Sequence, residues 1–415
     1  MRRIAVVGAG QAGLQLALGL VAAGYEVTLV AERTAEQVRG GRVLSTQAMF
    51  GPALRIEAEA GLDLWADAAP AVSSIRMVVA AAPAVRALEI TAMLDEPAQS
   101  VDQRLKLARW LELLAEHGGR VEYRRLGRAG LRELAARHDL TVVAAGRGEL
   151  AGIFERDPAR SPFDRPQRVL SCLYAHGVGS PDPATEPRAR MHALPGLGEL
   201  YLQPALTLSG PCSILLWEAL PGGPLDRFGD RPGTGAQLAR IRELLGEYLP
   251  WEAELWTQAE PTDAGAGLFG AVTPTVRRPV ARLGGADDVH VLGIGDAVVL
   301  NDPITGQGAN SAAWAADACL KAITAHGDAP FTPAWMAATA ERFWQQHARH
   351  TVEFTAAMLT VPEHLRGVFG AAARYEAVAR RLANTYPEPS DYANWLATPE
   401  LTAAYLASVA GHGGP

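Results

Sequence analysis

The segment Gly8-Ala9-Gly10-Gln11-Ala12-Gly13, set between the apolar run Ile4–Val7 and the helical run Leu14–Ala23, constrains this chain more than any other feature. Gly8 permits a tight turn, Gly10 lets backbone approach a pyrophosphate, and Gly13 lets helix and strand pack closely. The helix N-terminus then offers free N–H groups and the positive end of its dipole to phosphate. A second strand over Glu26–Val30 ends just before Glu32, 22 residues after Gly10, where an acid binds ribose hydroxyls. Strand, turn, helix and acid in register predict a dinucleotide-binding βαβ unit, without separating FAD from NAD.

The rest of the chain narrows the class. Its 415 residues give room for two or three structural units. A net charge of −7 disfavours a nucleic-acid partner. No apolar run approaches the roughly 20 residues that a membrane span needs, so no membrane is expected. Met1-Arg2-Arg3 leads directly into the first strand, which reads as a chain without a signal peptide. The three cysteines, Cys172, Cys212 and Cys319, form neither a disulfide framework nor a zinc pattern, and a reducing cytoplasm is expected. No metal centre is expected; His347 and His350 have usable helical spacing but no evident third ligand.

Further strands of the nucleotide-binding sheet are predicted over Val121–Leu126, Leu140–Ala144 (ending at Gly146) and Val289–Leu292, with a packed helix over Gln103–His117. Longer strands over Val169–Tyr174, Ala189–Leu194, Glu199–Leu206 and Ser213–Leu220 suggest an inserted antiparallel β domain. Ser180–Arg188 and Pro221–Gly235 read as loops. The chain is helical again from Pro330, with Trp335, Phe343 and Phe354 as packing residues. The fold class is therefore α/β: a Rossmann-like domain of the glutathione-reductase and aromatic-hydroxylase type, an inserted, mostly antiparallel substrate sheet and C-terminal helices. The expected division is 1–70, 98–160 and 271–330 for the nucleotide-binding domain, 71–97 and 161–270 for the substrate domain, and 331–415 for the helices.

A second motif favours a flavin. Gly295-Asp296 follows a buried strand and leads into Asn301-Asp302-Pro303-Ile304-Thr305-Gly306-Gln307-Gly308-Ala309-Asn310 and a helix. An Asp at a strand end can bind ribityl hydroxyls. Backbone N–H groups at the following helix N-terminus can face the isoalloxazine carbonyl and N1, where a reduced flavin carries negative charge. A plain Gly-rich loop with Asn310 as helix cap is the simpler reading. Arg42, in Arg39-Gly40-Gly41-Arg42, reads either as a flavin contact or as a solvated loop arginine.

Taken together, Ile4–Gly13, Gly41–Thr46, Ser100-Val101-Asp102, Ser161-Pro162-Phe163-Asp164-Arg165-Pro166-Gln167-Arg168 and Pro303–Asn310 give a chain that resembles the styrene and indole monooxygenases. These are two-component FAD-dependent epoxidases. Ser161–Arg168 is the most family-specific segment, and flavin chemistry in general supplies no reason for it. The resemblance implies that a separate NADH-dependent flavin reductase supplies reduced FAD. The oxygenase then captures O2 as a C4a-hydroperoxide and delivers one oxygen to a small aromatic substrate. It also implies a homodimer. The protein's part is to hold the reagent beside the alkene and exclude water, not to supply an acid–base dyad.

The implied FAD contacts are Gly8, Gly10, Gln11, Ala12, Gly13, Glu32, Arg33, Arg42, Gln103, Gly146, Asp296, Pro303, Gly306, Gln307, Gly308, Ala309 and Asn310. Ser45, Thr46, Gln47, Met49 and Pro303 are expected at the reacting centre, with Val43, Leu44, Val72, Ile75 and Ala98 along the pocket. Without the resemblance, Met49, Val72 and Ile75 read equally as ordinary core. Styrene-type members tend to carry Asn, Val and His where this chain has Ser45, Gln47 and Met49, and Tyr, His and Ser where it has Val72, Ile75 and Ala98; the last match requires a small insertion before Ser100. These six positions favour indole, whose N–H can use an acceptor on Ser45 or Gln47, with 2,3-epoxidation leading to indoxyl and indigo. Styrene-type alkenes and sulfides are then side substrates. The alternatives are a styrene epoxidase proper, a self-sufficient NAD(P)H-dependent aromatic hydroxylase and a non-enzymatic flavin-fold binding or escort protein. Trp251 and Trp256 evoke a flavin halogenase, but the tryptophan–isoleucine–proline signature of that class is absent.

Overall fold

The computed structural model describes residues 2–181, 188–284 and 288–412. β1 (Arg3–Val7), α1 (Gln11–Ala22) and β2 (Glu26–Ala31) form the expected βαβ unit. β1 lies between β2 and the strand Leu140–Val143, parallel to both. The complete sheet runs Val280–Gly284, Val289–Gly293, Leu140–Val143, β1, β2, Arg120–Tyr123, and only the Val280–Gly284 edge is antiparallel to its neighbour. A parallel strand covered on both faces must be apolar throughout. Ile4, Ala5 and Val6 accordingly have no exposed surface. α1 is apolar nearly all round because it is sandwiched between this sheet and the helix Gln307–Ala325.

The second sheet is larger. Its order is Glu260–Pro261, Val169–His176, Gly210–Ala219, Gly198–Thr207, Ala189–Leu194, Val72–Ala82, Val85–Ala98, and Gly267–Ala271 also pairs with Val169–His176. Every pairing is antiparallel except Val72–Ala82 with Ala189–Leu194. Its central strands bury Leu173 and Leu215 in one cluster with Leu238, Ile241 and Leu245 of the helix Thr234–Tyr248. The Val72–Ala98 hairpin packs Ile75, Ile90 and Ala92 against Phe354, Leu365 and Leu382 of the C-terminal helices. Truncating such a buried leucine to alanine costs about 2–5 kcal/mol.

Two local readings change. The strand expected over Val121–Leu126 spans Arg120–Tyr123. The Pro221–Gly235 loop gives way at Gly233 to the helix Thr234–Tyr248, whose Leu238, Ile241, Leu244 and Leu245 follow a helical period. Of the Ser180–Arg188 loop, residues 182–187 lie outside the described residues. Phe354 is fully buried, while Trp335 and Phe343 are half-buried against the first core. Among the described residues, no helix is long and apolar enough to cross a membrane.

Candidate functional site

The C-terminal ends of β1, Leu140–Val143 and Val289–Gly293 lie side by side, which is where open α/β sheets bind ligands. Each glycine of the first motif has a distinct physical reason. Gly8 takes φ 110°, and a Cβ there would lie 2.9 Å from the backbone of Ala144. A Cβ on Gly13 would lie 1.9 Å from the Gly8 carbonyl oxygen. A Cβ on Gly10 would meet nothing within 4 Å, so this glycine leaves space toward the cleft rather than toward the protein. Gly10 caps α1 without any side-chain hydrogen bond, which leaves the N–H groups of the first turn, Gln11 to Gly13, for a ligand.

Gly146 and Asp296 come from the two neighbouring strand ends, and a Cβ on Gly146 would lie 2.4 Å from that of Asp296. Asp296 is open to water yet walled in by protein. That desolvation raises its carboxyl to about 6, opposed by Arg147 and Arg277, so it is ionised at neutral pH. Glu32 is exposed just beyond β2, 3.7 Å from Arg125. Arg33 and Arg42 are also exposed, and Gln103 is half-buried at the start of its helix.

The second turn is built differently. Asp302 Oδ1 accepts a hydrogen bond from Ile304 N at 3.1 Å, fixing the turn Pro303–Thr305. Gly306 then takes φ 66° and starts the helix Gln307–Ala325 without a side-chain cap. Asn310 is not that cap. Its Nδ2 donates to Ala48 O and Gly306 O at 2.8 and 2.7 Å, and its Oδ1 accepts from Phe50 N at 2.8 Å. One side chain therefore clamps this turn to the strap Ser45–Phe50. The strap's other side is held by the substrate sheet. Tyr174 Oη donates to Ser45 O at 2.8 Å, and Gln203 Nε2 and Ser100 Oγ both donate to Thr46 O. Gln47 has φ 46°, a left-handed conformation that costs a non-glycine residue energy. Its carboxamide is buried with neither polar atom partnered.

The remaining expected pocket residues separate. Val72 and Ala98 pair directly across the hairpin. With Ile75 they share one apolar cluster with Ile304 of the second turn. Met49 packs instead with Ala53 and Ala313. Val43 belongs to the core beneath the substrate sheet, and Leu44 lies half-buried against the first core. Gln307 is buried, donating to Thr305 O and Tyr386 O, while Pro303, Gly308 and Ala309 remain partly accessible. The partly open turn, uncapped helix ends and space beside Gly10 fit FAD.

Several supporting residues escaped the sequence reading. Arg104, only 1% exposed, donates to Asp102 and to both oxygens of Asp263, and reaches Gly41 O. Asp102 also accepts from Thr207 Oγ1 at 2.6 Å and caps the helix through Arg104 N. This network ties the Gly40–Arg42 turn to the substrate domain. Asp263 lies 159 residues from Arg104, so no local pattern announces it. Lys106 forms a buried ion pair with Glu57, which also accepts from Gln11 at 2.8 Å. This is scaffolding behind the first turn.

Comparison with known proteins gives the family and the fold. The family model "Styrene monooxygenase A putative substrate binding domain" matches residues 146–254. Styrene monooxygenase StyA from Pseudomonas sp is 31% identical over 335 residues, 78% of this chain and 78% of the relative. Two solved structures share the fold at lower identity. One is a flavoprotein/dehydrogenase from Cytophaga hutchinsonii (TM-score 0.68, 15% identity, 98% of this chain and 99% of that one). The other is the flavin-dependent brominase Bmp2 (TM-score 0.67, 16% identity, 97% and 98%). The chain therefore belongs to the styrene monooxygenase family, the FAD-dependent oxygenase components of two-component flavin systems that use O2 as co-substrate.

Proposed function

We propose that this chain epoxidises the vinyl group of styrene-type aromatics, using reduced FAD delivered by a separate NADH-dependent flavin reductase. The observation that carries this is the strap Ser45–Phe50. It is clamped by Asn310 to the flavin-receiving turn and by Tyr174, Gln203 and Ser100 to the substrate sheet. A substrate lying along the strap is thereby fixed relative to the flavin ring, and fixed geometry is what an oxygen transfer between two bound partners needs. FAD, once reduced and bound, supplies the oxygen-transfer chemistry. Gln11 to Gly13 offer N–H groups to its phosphates, Glu32 and Asp296 accept from its hydroxyls, and Gly306 to Ala309 present backbone to its ring. Val72, Ile75 and Ala98 cluster with Ile304 of that turn and would supply the apolar, water-excluding side of the pocket.

The StyA relationship favours styrene over indole as the main substrate. The indole reading keeps one specific support, the unpartnered Gln47 carboxamide, whose Oε1 would accept an indole N–H. Purified chain with FAD, an added reductase, NADH and air is expected to form styrene oxide; without the reductase, NADH oxidation should be negligible. A reductase-independent turnover would instead indicate the self-sufficient hydroxylase. Gln47→Val is expected to lower kcat/KM for indole relative to styrene by about tenfold, the scale of one lost buried hydrogen bond. An unchanged ratio would remove Gln47 from substrate recognition.

A further inference from the structure

Beneath the flavin-receiving turn lies a buried cluster with more acids than bases. Arg168, which closes the family-specific Ser161–Arg168 segment, is 5% exposed and pairs with Glu199 through two bonds of 2.6 and 2.8 Å. Glu199 sits directly across the strands from Glu218, a like-charge pairing that sheets avoid. Glu218 has no exposed surface, and neither of its carboxyl oxygens has a settled hydrogen-bond partner. Its carboxyl lies against that of Asp302, whose Oδ2 is likewise unpartnered and whose Oδ1 caps the turn through Ile304 N. The other titratable groups facing Glu218 are Tyr201, half-buried, and Tyr386, buried; desolvation keeps both protonated. Three carboxyls thus face one guanidinium, which is already engaged by Glu199.

We propose that Glu218 and Asp302 share one proton across their facing carboxyls, and that this proton holds the Pro303–Gly306 turn in the shape that receives the flavin. The inference rests on the reading of that turn as a flavin site. Two adjacent buried carboxyls cannot both ionise at modest cost. With the proton present, one oxygen donates, the other accepts, and Asp302 stays in place to cap Ile304. With the proton lost, two like charges meet out of water and Asp302 is driven from the turn. Burial, then the neighbouring acids, push Glu218 well above the usual carboxylate range; Asp302 moves the same way, through its own burial. The pair titrates as a unit. Because the folded chain holds the proton more tightly, its stabilising effect is complete at low pH and is lost as pH rises through the pair's raised pKa.

The segment Ser161–Arg168 gains a physical account from this. Ser161 Oγ bonds both the N–H and the carbonyl of Val276 at 3.0 Å, and Val276 pairs with Val299 on the ribbon that runs into Asn301 and Asp302. Arg168 then neutralises Glu199, so that one proton suffices for the remaining two acids. Ser161 and Arg168 thus act as positioning residues for the turn.

The test uses the full chain titrated with oxidised FAD across pH 6 to 9, read by flavin fluorescence. The wild-type Kd is expected to rise with pH by up to about tenfold per unit above the pair's pKa, the slope of one linked proton. Glu218→Gln keeps a neutral hydrogen-bonding partner for Asp302. It is expected to bind FAD within about threefold of wild type at pH 6 and to lose the pH dependence, since one neutral hydrogen bond replaces another. Infrared spectra of the wild-type chain at pH 7 should show a protonated carboxyl C=O band that shifts in D2O and is missing from Glu218→Gln. A wild-type pH profile retained in Glu218→Gln, or no such band in the wild type, overturns the proposal. The infrared reading needs no flavin and decides the shared proton even if the variant fails to fold. Absence of FAD binding at every pH would instead refute the flavin reading of the turn.

Discussion

The two turns proposed to receive the flavin are held in opposite ways. Gly8–Gly13 is made by backbone: a positive φ, a strand end packed against Ala144, and a carbonyl that leaves no room for a Cβ on Gly13. Pro303–Asn310 is made by side chains: Asp302 inside the turn, Glu218 and Arg168 beneath it, and Asn310 reaching Phe50, 260 residues away in sequence. Backbone turns carry no titratable group and specify themselves locally. Side-chain turns depend on partners that the chain brings together only on folding. The comparison predicts that the phosphate end of the site is insensitive to pH and the ring end is not.

The largest expected effect tests the backbone turn. Gly13→Val should abolish measurable FAD binding and lower Tm, because overpacking against fixed backbone costs about 1–3 kcal/mol or more. Gly10→Ala should leave Tm unchanged but weaken FAD by about tenfold, since its methyl points into the space the pyrophosphate needs. Equal destabilisation by the two substitutions would break the distinction between them.

A second effect tests the clamp. Asn310→Ala removes two hydrogen bonds between turn and strap and one within the turn. It should lower kcat/KM for styrene by about ten- to a hundredfold, at roughly 1–3 kcal/mol for buried groups left unpaired. FAD affinity measured alone should change much less. If the two quantities fall together, the strap does not position substrate independently of the flavin.

The smallest effect concerns the Arg104 network. Burial raises the Asp263 pKa, but the Arg104 guanidinium outweighs it and holds the carboxyl below its usual value. A depressed pKa gives stability above the unfolded value and loses it as pH falls through the folded one. Asp263→Asn should therefore be slightly less stable than wild type at pH 7, with the gap closing below about pH 4, near the ordinary aspartate value. Urea melts at the two pH values would measure it.

The same contrast explains what the sequence made legible. The βαβ unit, the strand-end positions of Glu32 and Asp296 and the Gly306–Gly308 turn could be read because each rests on spacing within a few residues. The family-specific Ser161–Arg168 segment could be seen but not understood, because its partners Val276, Glu199 and, through it, Glu218 lie on other strands. Asn310 looked like a helix cap by position, whereas tertiary contacts turned it into a bridge. Arg104 was hidden in a helix that read as ordinary packing. The helix Thr234–Tyr248 was masked by the Pro- and Gly-rich stretch before it.

The most direct test of the central claim is oxygen transfer itself. Purified chain, reduced FAD and styrene are mixed under isotopically labelled O2, and the product is analysed by mass spectrometry. Labelled styrene oxide in amounts dependent on the chain is the predicted result. Hydrogen peroxide alone, or an epoxide whose oxygen comes from water, would contradict it.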